Sequence, residues 1–333
     1  MSLDDDVASI LASAPQPDEA SRRACSQRAA DVLRPRGALA RLDEICAWLA
    51  AWQRTERPSV QRAAAIVFVA DHGVTDERVS AYPREVTSAM LHALQSGAAT
   101  ACAMAKMIGC DLRVVDVGVG RPTGNIALQP ALTDQQVRAG FESGRAAVFD
   151  LECDLLAVGE MGIGNTTAAS AVSAALFGGR TEHWTGRGAG VDFDGWKRKV
   201  DAVERARSRA GDGLRPLEIL RQLGGHEFAA MAGATVEARR RSIPMLLDGF
   251  VATAAVAPLH KLHPGALDHC IAAHRSPEPG HSLLLDELGK KPLMDLQMRL
   301  GEATGALAAI PLVQLAIAAV VDVATFSERG LSR

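Results

Sequence analysis

Apolar runs alternate with alanine-rich stretches through the middle of the chain. Five of the runs are continuous and β-prone: "AAAIVFVADHG" (63–73), "LRVVDVGVG" (112–120), "DLLAVGEMG" (154–162), "SIPMLLDGF" (242–250) and "HCIAAHRS" (269–276). A run without polar alternation predicts a strand buried on both faces, as in a parallel sheet. Between them lie alanine-rich segments of helical length at 88–108, 165–177, 226–240 and 251–260. Strand alternating with helix predicts a doubly wound, Rossmann-like α/β sheet.

Both ends of the chain lack such runs. Residues 18–53 read as helix, with Leu33, Leu39, Leu42, Ile45, Trp48 and Leu49 at helix-like spacing. Residues 293–326 also read as helix, broken near Gly301 and kinked at Pro311. The expected division is a large α/β domain at 60–290 and a small helical domain built from 1–59 plus 291–333. A ligand cleft is expected between them. The most apolar stretch, "GALAAIPLVQLAIAAVV" (305–321), is short for a membrane span and carries Pro311 and Gln314. It reads as a buried helix, or one packed on a partner subunit, with no membrane involved.

The chemistry gathers where the strands stop. Asp71, Glu160, Asp248, His274 and Ser276 stand at the ends of apolar runs. Ligands of an open α/β sheet bind outside the carboxyl ends of its strands, so these five are expected to converge. Strands also end in polar residues because loops are wet. Glycine or charge at five ends favours a site.

Composition narrows the class. A chain of 333 residues, 48% of them hydrophobic, can bury a large core. A net charge of −3 gives no electrostatic footing for nucleic acid. Six cysteines without C-x-x-C spacing read as reduced thiols in a cytoplasm. The acidic start, Asp4-Asp5-Asp6, has the wrong charge for a signal peptide. His260 and His263 lack a supporting carboxylate or cysteine pattern and read as an ordinary loop pair, not a metal site.

One loop stands out, "AVGEMGIGNTTAAS" (157–170). Gly159, Gly164 and Asn165-Thr166 match the spacing of a nucleotide hydrolase phosphate loop, but Asn165 stands where its lysine belongs. Without that lysine a triphosphate loses its main positive contact. Backbone N–H groups at a helix N-terminus still suit one phosphate. By itself the loop leaves two readings open: a monophosphate site, or a tight strand-to-helix turn with no ligand.

Several segments together resemble one family. They are "ADHGV" (70–74), "SAYPREVT" (80–87), "VVDVGV" (114–119), "GEMGIGNTTAAS" (159–170), "GRGAGVD" (186–192), "MAGA" (231–234), "LLDGF" (246–250), "AHRSPEPGH" (273–281) and "RLGEATGALAAIPL" (299–312), in order over about residues 63 to 320. This pattern resembles the nicotinate-nucleotide–dimethylbenzimidazole phosphoribosyltransferases. The resemblance implies a homodimer that needs no metal or cofactor. It implies that the 5-phosphoribosyl group of nicotinate mononucleotide passes to a benzimidazole nitrogen, with nicotinate leaving. By position, Glu302 matches the family's general base. Glu160, Gly162, Gly188, Lys199 and Ser276 match contacts to the nucleotide and its phosphate. Tyr82, Met90 and Leu300 fall at or beside contacts to the base. The segment "MLHALQSGAAT" (90–100) departs from the usual pattern, which bears on base preference and not on reaction type.

Two rival functions fit less well. A dinucleotide-dependent oxidoreductase needs G-x-G-x-x-G after the first strand, which here ends in Asp-His-Gly. A non-catalytic nucleotide-binding regulator on the same fold is disfavoured because Glu302 and Lys199 are both present.

Overall fold

Each of the five apolar runs forms a strand in the computed structural model, which describes residues 2–332. In chain order the elements are α1 (Leu3–Ser13), α2 (Glu19–Asp31), α3 (Ala40–Gln53), β1 (Ala63–Ala70), α4 (Val86–Gln95), α5 (Thr100–Ile108), β2 (Asp111–Gly118) and α6 (Asp134–Phe149). There follow β3 (Leu155–Met161), α7 (Asn165–Phe177), α8 (Thr181–Trp184), α9 (Phe193–Ala210), α10 (Pro216–Leu223) and α11 (His226–Arg240). The chain closes with β4 (Met245–Leu247), α12 (Phe250–Leu262), β5 (Cys270–Ala272), α13 (Pro279–Glu287) and α14 (Thr304–Val321).

The sheet is parallel throughout, in the order β2-β1-β3-β4-β5. The direction of winding reverses between β1 and β3, which creates the crevice where such sheets bind ligands. Side-chain alternation sends β1 into two cores. Ala64, Ile66 and Phe68 pack with α7, α11 and α12 on one face. Ala65, Val67 and Val69 pack with α3, α5 and α14 on the other. Burial on both faces explains the unbroken apolar runs. β2 is an edge strand and alternates exposed with half-buried positions.

The chain termini differ in detail from expectation. Residues 18–53 form two helices, α2 and α3, parted by a turn that holds Pro35 and Gly37. Both lie on the α14 side of the sheet, whereas Val7 and Leu11 of α1 join the opposite core. The expected helix from residue 293 begins only at Thr304. Gly301, Glu302 and Ala303 all have positive φ (83, 58 and 60°), and a right-handed helix cannot run through them. Pro311 does lie inside α14. The expected helix at 88–108 divides at Gly97, whose φ of 80° ends α4.

Candidate active site

The carboxyl ends of β3, β4 and β5 open into a cleft. Glu160, Asp248, His274 and Ser276 line it, as the strand ends predict. Asp71 does not. Its Oδ2 accepts the Gly120 N–H at 2.8 Å and so ties the ends of β1 and β2 together.

The glycine loop forms one wall. Gly162 approaches the neighbouring strand so closely that a Cβ would lie 2.6 Å from the Ala70 carbonyl oxygen. Gly164, at φ 95°, makes the turn into α7. Asn165, in the place of the absent lysine, donates its side-chain N–H to Glu160. The Ile163 N–H donates to Thr87 Oγ1 at 3.1 Å, fixing the loop to α4.

The cation comes from another element. Lys199 of α9 is fully buried, and its Nζ donates to Thr166 Oγ1 at 2.7 Å. Gly188 closes over this pair: a Cβ there would lie 2.9 Å from both Lys199 Nζ and Thr166 Oγ1. The Gly188 N–H donates to Glu278 Oε1 at 2.8 Å. Burial lowers the Lys199 pKa to about 8, and the Glu278 carboxylate opposes that shift. An ammonium has three donors, and the N-terminus of α7 adds its positive dipole end beside it.

Carboxylates dominate the rest. Burial first, and then the charges of Glu227, Asp248 and Glu302, push Glu160 up to about 8, against the Asn165 hydrogen bond. Burial likewise pushes Asp248 up to about 7, opposed by hydrogen bonds from the backbone of Ala306, Gly305 and Ala303. Burial raises the Glu302 pKa, opposed by a hydrogen bond from the Ala101 backbone. The Oε2 of Glu302 has no hydrogen-bond partner among the described residues. Glu302 is 1% exposed and stands next to Gly301, which lines the cleft. Its N–H donates to the Glu160 carbonyl at 2.9 Å. Left-handed backbone at Glu302 and Ala303 costs roughly 1–2 kcal/mol per residue, so the turn must be held by its surroundings.

Of the residues singled out from sequence, Glu160, Gly162, Gly188, Ser276 and Leu300 share the cleft lining. Lys199 and Glu302 are not among the lining residues: Lys199 lies behind the lining residues Gly188 and Thr166, and Glu302 follows the lining residue Gly301. Leu300 is exposed at the rim. Tyr82 is exposed two residues beyond the lining residue Ser80, and Met90 is half-buried on α4; neither lines the cleft. Thr166 was read only as part of the phosphate-loop spacing, and Glu278 and the buried pair His72–Glu227 (Nε2 to Oε1, 2.5 Å) escaped the sequence reading. Thr166 lay in the quoted glycine loop, and Glu278 sat between two prolines in "SPEPGH". His260 and His263 lie at the end of α12, and no group of three or more metal-ligating side chains occurs among the described residues.

One buried cation beside a helix N-terminus suits a monophosphate. Buried carboxylates in the same cleft suit positive charge developing on a sugar. The sheet and its crevice therefore belong to a nucleotide-handling α/β enzyme.

Comparison with known proteins makes this particular. A family model described as "Phosphoribosyltransferase" matches residues 14–331. The nicotinate-nucleotide–dimethylbenzimidazole phosphoribosyltransferase of Methylorubrum extorquens is 46% identical over 330 residues, covering 98% of this chain and 96% of that protein. The enzyme of the same name from Mesorhizobium japonicum is 45% identical, covering 98% of each. The crystal structure of CobT from Thermus thermophilus superposes with a TM-score of 0.89 at 41% identity, covering 94% of this chain and 99% of that one. The chain belongs to the nicotinate-nucleotide–dimethylbenzimidazole phosphoribosyltransferase family.

Proposed function

We propose that the chain transfers the 5-phosphoribosyl group of nicotinate mononucleotide to 5,6-dimethylbenzimidazole or a related base. The products are α-ribazole 5′-phosphate and nicotinate, and the step belongs to assembly of the cobalamin nucleotide loop. The observation that carries the reading is one cleft lined by Thr166 and Gly188 on one side, with the buried Lys199 bonded to Thr166 behind them, and by Gly301 on the other, next to the unpartnered carboxylate oxygen of Glu302.

The phosphate sits on Lys199, Thr166 and the Gly188 turn, with Gly162 and Ser276 beside it. The bond between C1′ and the pyridinium nitrogen breaks, and its electron pair returns to the ring, so nicotinate leaves without protonation. Glu160 faces the positive charge that grows on the sugar, and the pyridinium of the bound nucleotide favours its ionised form over the protonated one that burial favours in the ligand-free cleft. The benzimidazole nitrogen attacks C1′ from the opposite side, which turns the β configuration into α. Its other nitrogen carries the one N–H, and Glu302 takes that proton. Burial makes Glu302 a stronger base than an exposed glutamate. Leu300 at the rim borders the slot for the flat base, and Tyr82 and Met90, outside the cleft lining, are assigned to it by the family resemblance alone. The enzyme acts in the cytoplasm, where six free thiols stay reduced, and as a homodimer by the family resemblance.

The test is Glu302→Gln, which keeps the shape and removes the base. Turnover, followed as release of nicotinate, is expected to fall by about 10²–10⁴-fold with the fold intact. Turnover at the wild-type level removes Glu302 from the mechanism.

A further inference from the structure

We propose that Asp248 is a positioning residue, which caps α14 from a separate element and thereby holds Glu302 in place. The proposal rests on the assignment of Glu302 as the base. The backbone N–H groups in the first turn of a helix need partners from outside it. α14 has none of its own to offer, because its N-cap residue is Ala303. Asp248, at the end of β4, fills the gap. Its Oδ1 accepts the Ala306 N–H at 3.0 Å, and the Gly305 and Ala303 backbones, at the same turn, favour its ionised form. An aspartate at an ordinary N-cap does the same service within its own chain segment.

The cap matters because of what precedes the helix. Gly301, Glu302 and Ala303 form a left-handed run that persists only where neighbours fix it. Two anchors do so. The Glu160 carbonyl of β3 takes the Glu302 N–H, and Asp248 of β4 takes the start of α14. Close approach completes the seat. A Cβ on Gly159 would lie 2.2 Å from the Ala303 nitrogen, and one on Gly305 would lie 2.0 Å from His274 Cδ2. His274 itself does not compete for the cap, since its Nε2 stands 3.8 Å from Asp248 Oδ1. The carboxylate of Glu302 is therefore aimed by the two strand ends that flank the cleft.

An amide oxygen accepts a backbone N–H as a carboxyl oxygen does. Asp248→Asn therefore keeps the cap, and Asp248→Ala removes it. Steady-state kinetics on the full chain, with nicotinate mononucleotide and dimethylbenzimidazole, decides. We expect Asp248→Ala to lower kcat by about 10–100-fold while KM for the nucleotide moves less than about threefold. Asp248→Asn is expected to recover most of that loss. In a Glu302→Gln background Asp248→Ala is expected to add little, because both changes disable one unit. Wild-type kcat in Asp248→Ala, equal losses in the Asn and Ala variants, or multiplying losses in the double variant each overturn the proposal. If Asp248→Ala does not fold, Asp248→Ser, with a shorter acceptor, stands in under the same criteria. Normal turnover in Glu302→Gln instead sinks the base assignment, and the Asn recovery then reports on the cap alone.

Discussion

Lys199 shows what burial does to a charge. It follows two cations, Lys197 and Arg198, that are exposed on the same helix. By residue type the three are interchangeable. The helical period separates them: Gly195, Lys199, Ala202, Val203 and Ala206 are the buried positions of α9, spaced as one face. A lysine on that stripe is held away from water and must meet an anion, so the signal was present in the sequence and lay in the spacing. The pair His72–Glu227 offered no such signal, because its members are joined only by the fold. Lys199→Ala is predicted to raise KM for nicotinate mononucleotide by about 10–100-fold, the worth of a charge-assisted hydrogen bond, and to leave KM for the base nearly unchanged. Lys197→Ala serves as the exposed control. Initial rates with each substrate varied in turn provide the check, and equal effects on both substrates would remove Lys199 from the phosphate corner.

At the scale of elements, the strands and the loop after β3 were legible for one reason. A run buried on both faces has no choice of pattern, and a turn that must approach a neighbour closely demands glycine. The segment 293–303 was misread because its composition suits a helix while its packing does not. Contacts with Glu160 and Asp248, both distant in sequence, impose the left-handed turn there. The pairing of α6 with α11 was equally invisible, since it depends on two helices meeting through glycines. A Cβ on Gly144 would lie 1.8 Å from the Ala230 carbonyl oxygen, and one on Gly233 would lie 1.9 Å from that of Phe141. On a free helix, Gly→Ala stabilises by about 1 kcal/mol. Here the sign is predicted to reverse. Gly144→Ala forces the backbones apart and is expected to destabilise by about 1–3 kcal/mol, as overpacking does. Denaturant unfolding measures it, and a variant more stable than wild type refutes the close packing of these helices.

For the whole molecule, the buried charges of the cleft set a pH dependence whose sign can be worked out. Glu160 rises from 4.5 to about 8 on folding, and Asp248 from 3.8 to about 7. Between those limits the folded state keeps protons that the unfolded chain has released, so stability falls as pH rises through the window. Lys199 falls from 10.5 to about 8, so above pH 8 the unfolded chain holds the extra proton and stability climbs again. Carboxylates with lowered pKa values, such as Glu237 beside Arg240 and Arg145, act only at more acidic pH, below their ordinary 4.5. Other buried groups overlap both limbs: histidines with lowered pKa, such as His281 at about 3, add a rise below pH 6.5, and buried thiols such as Cys270, raised to about 12, add a decline above pH 9, so each limb is read as the difference between variant and wild type. Thermal unfolding of wild type, Glu160→Gln and Lys199→Met from pH 5 to 10 separates the two limbs. The Gln variant is expected to flatten the decline between pH 5 and 8, and the Met variant the recovery above it. Curves that run parallel to wild type on both limbs would show that neither group is desolvated as the fold implies. Nicotinate mononucleotide should act on the upper limb, because a phosphate beside Lys199 restores the reason for its proton. With the nucleotide bound, the recovery above pH 8 is expected to vanish, leaving an alkaline decline in its place.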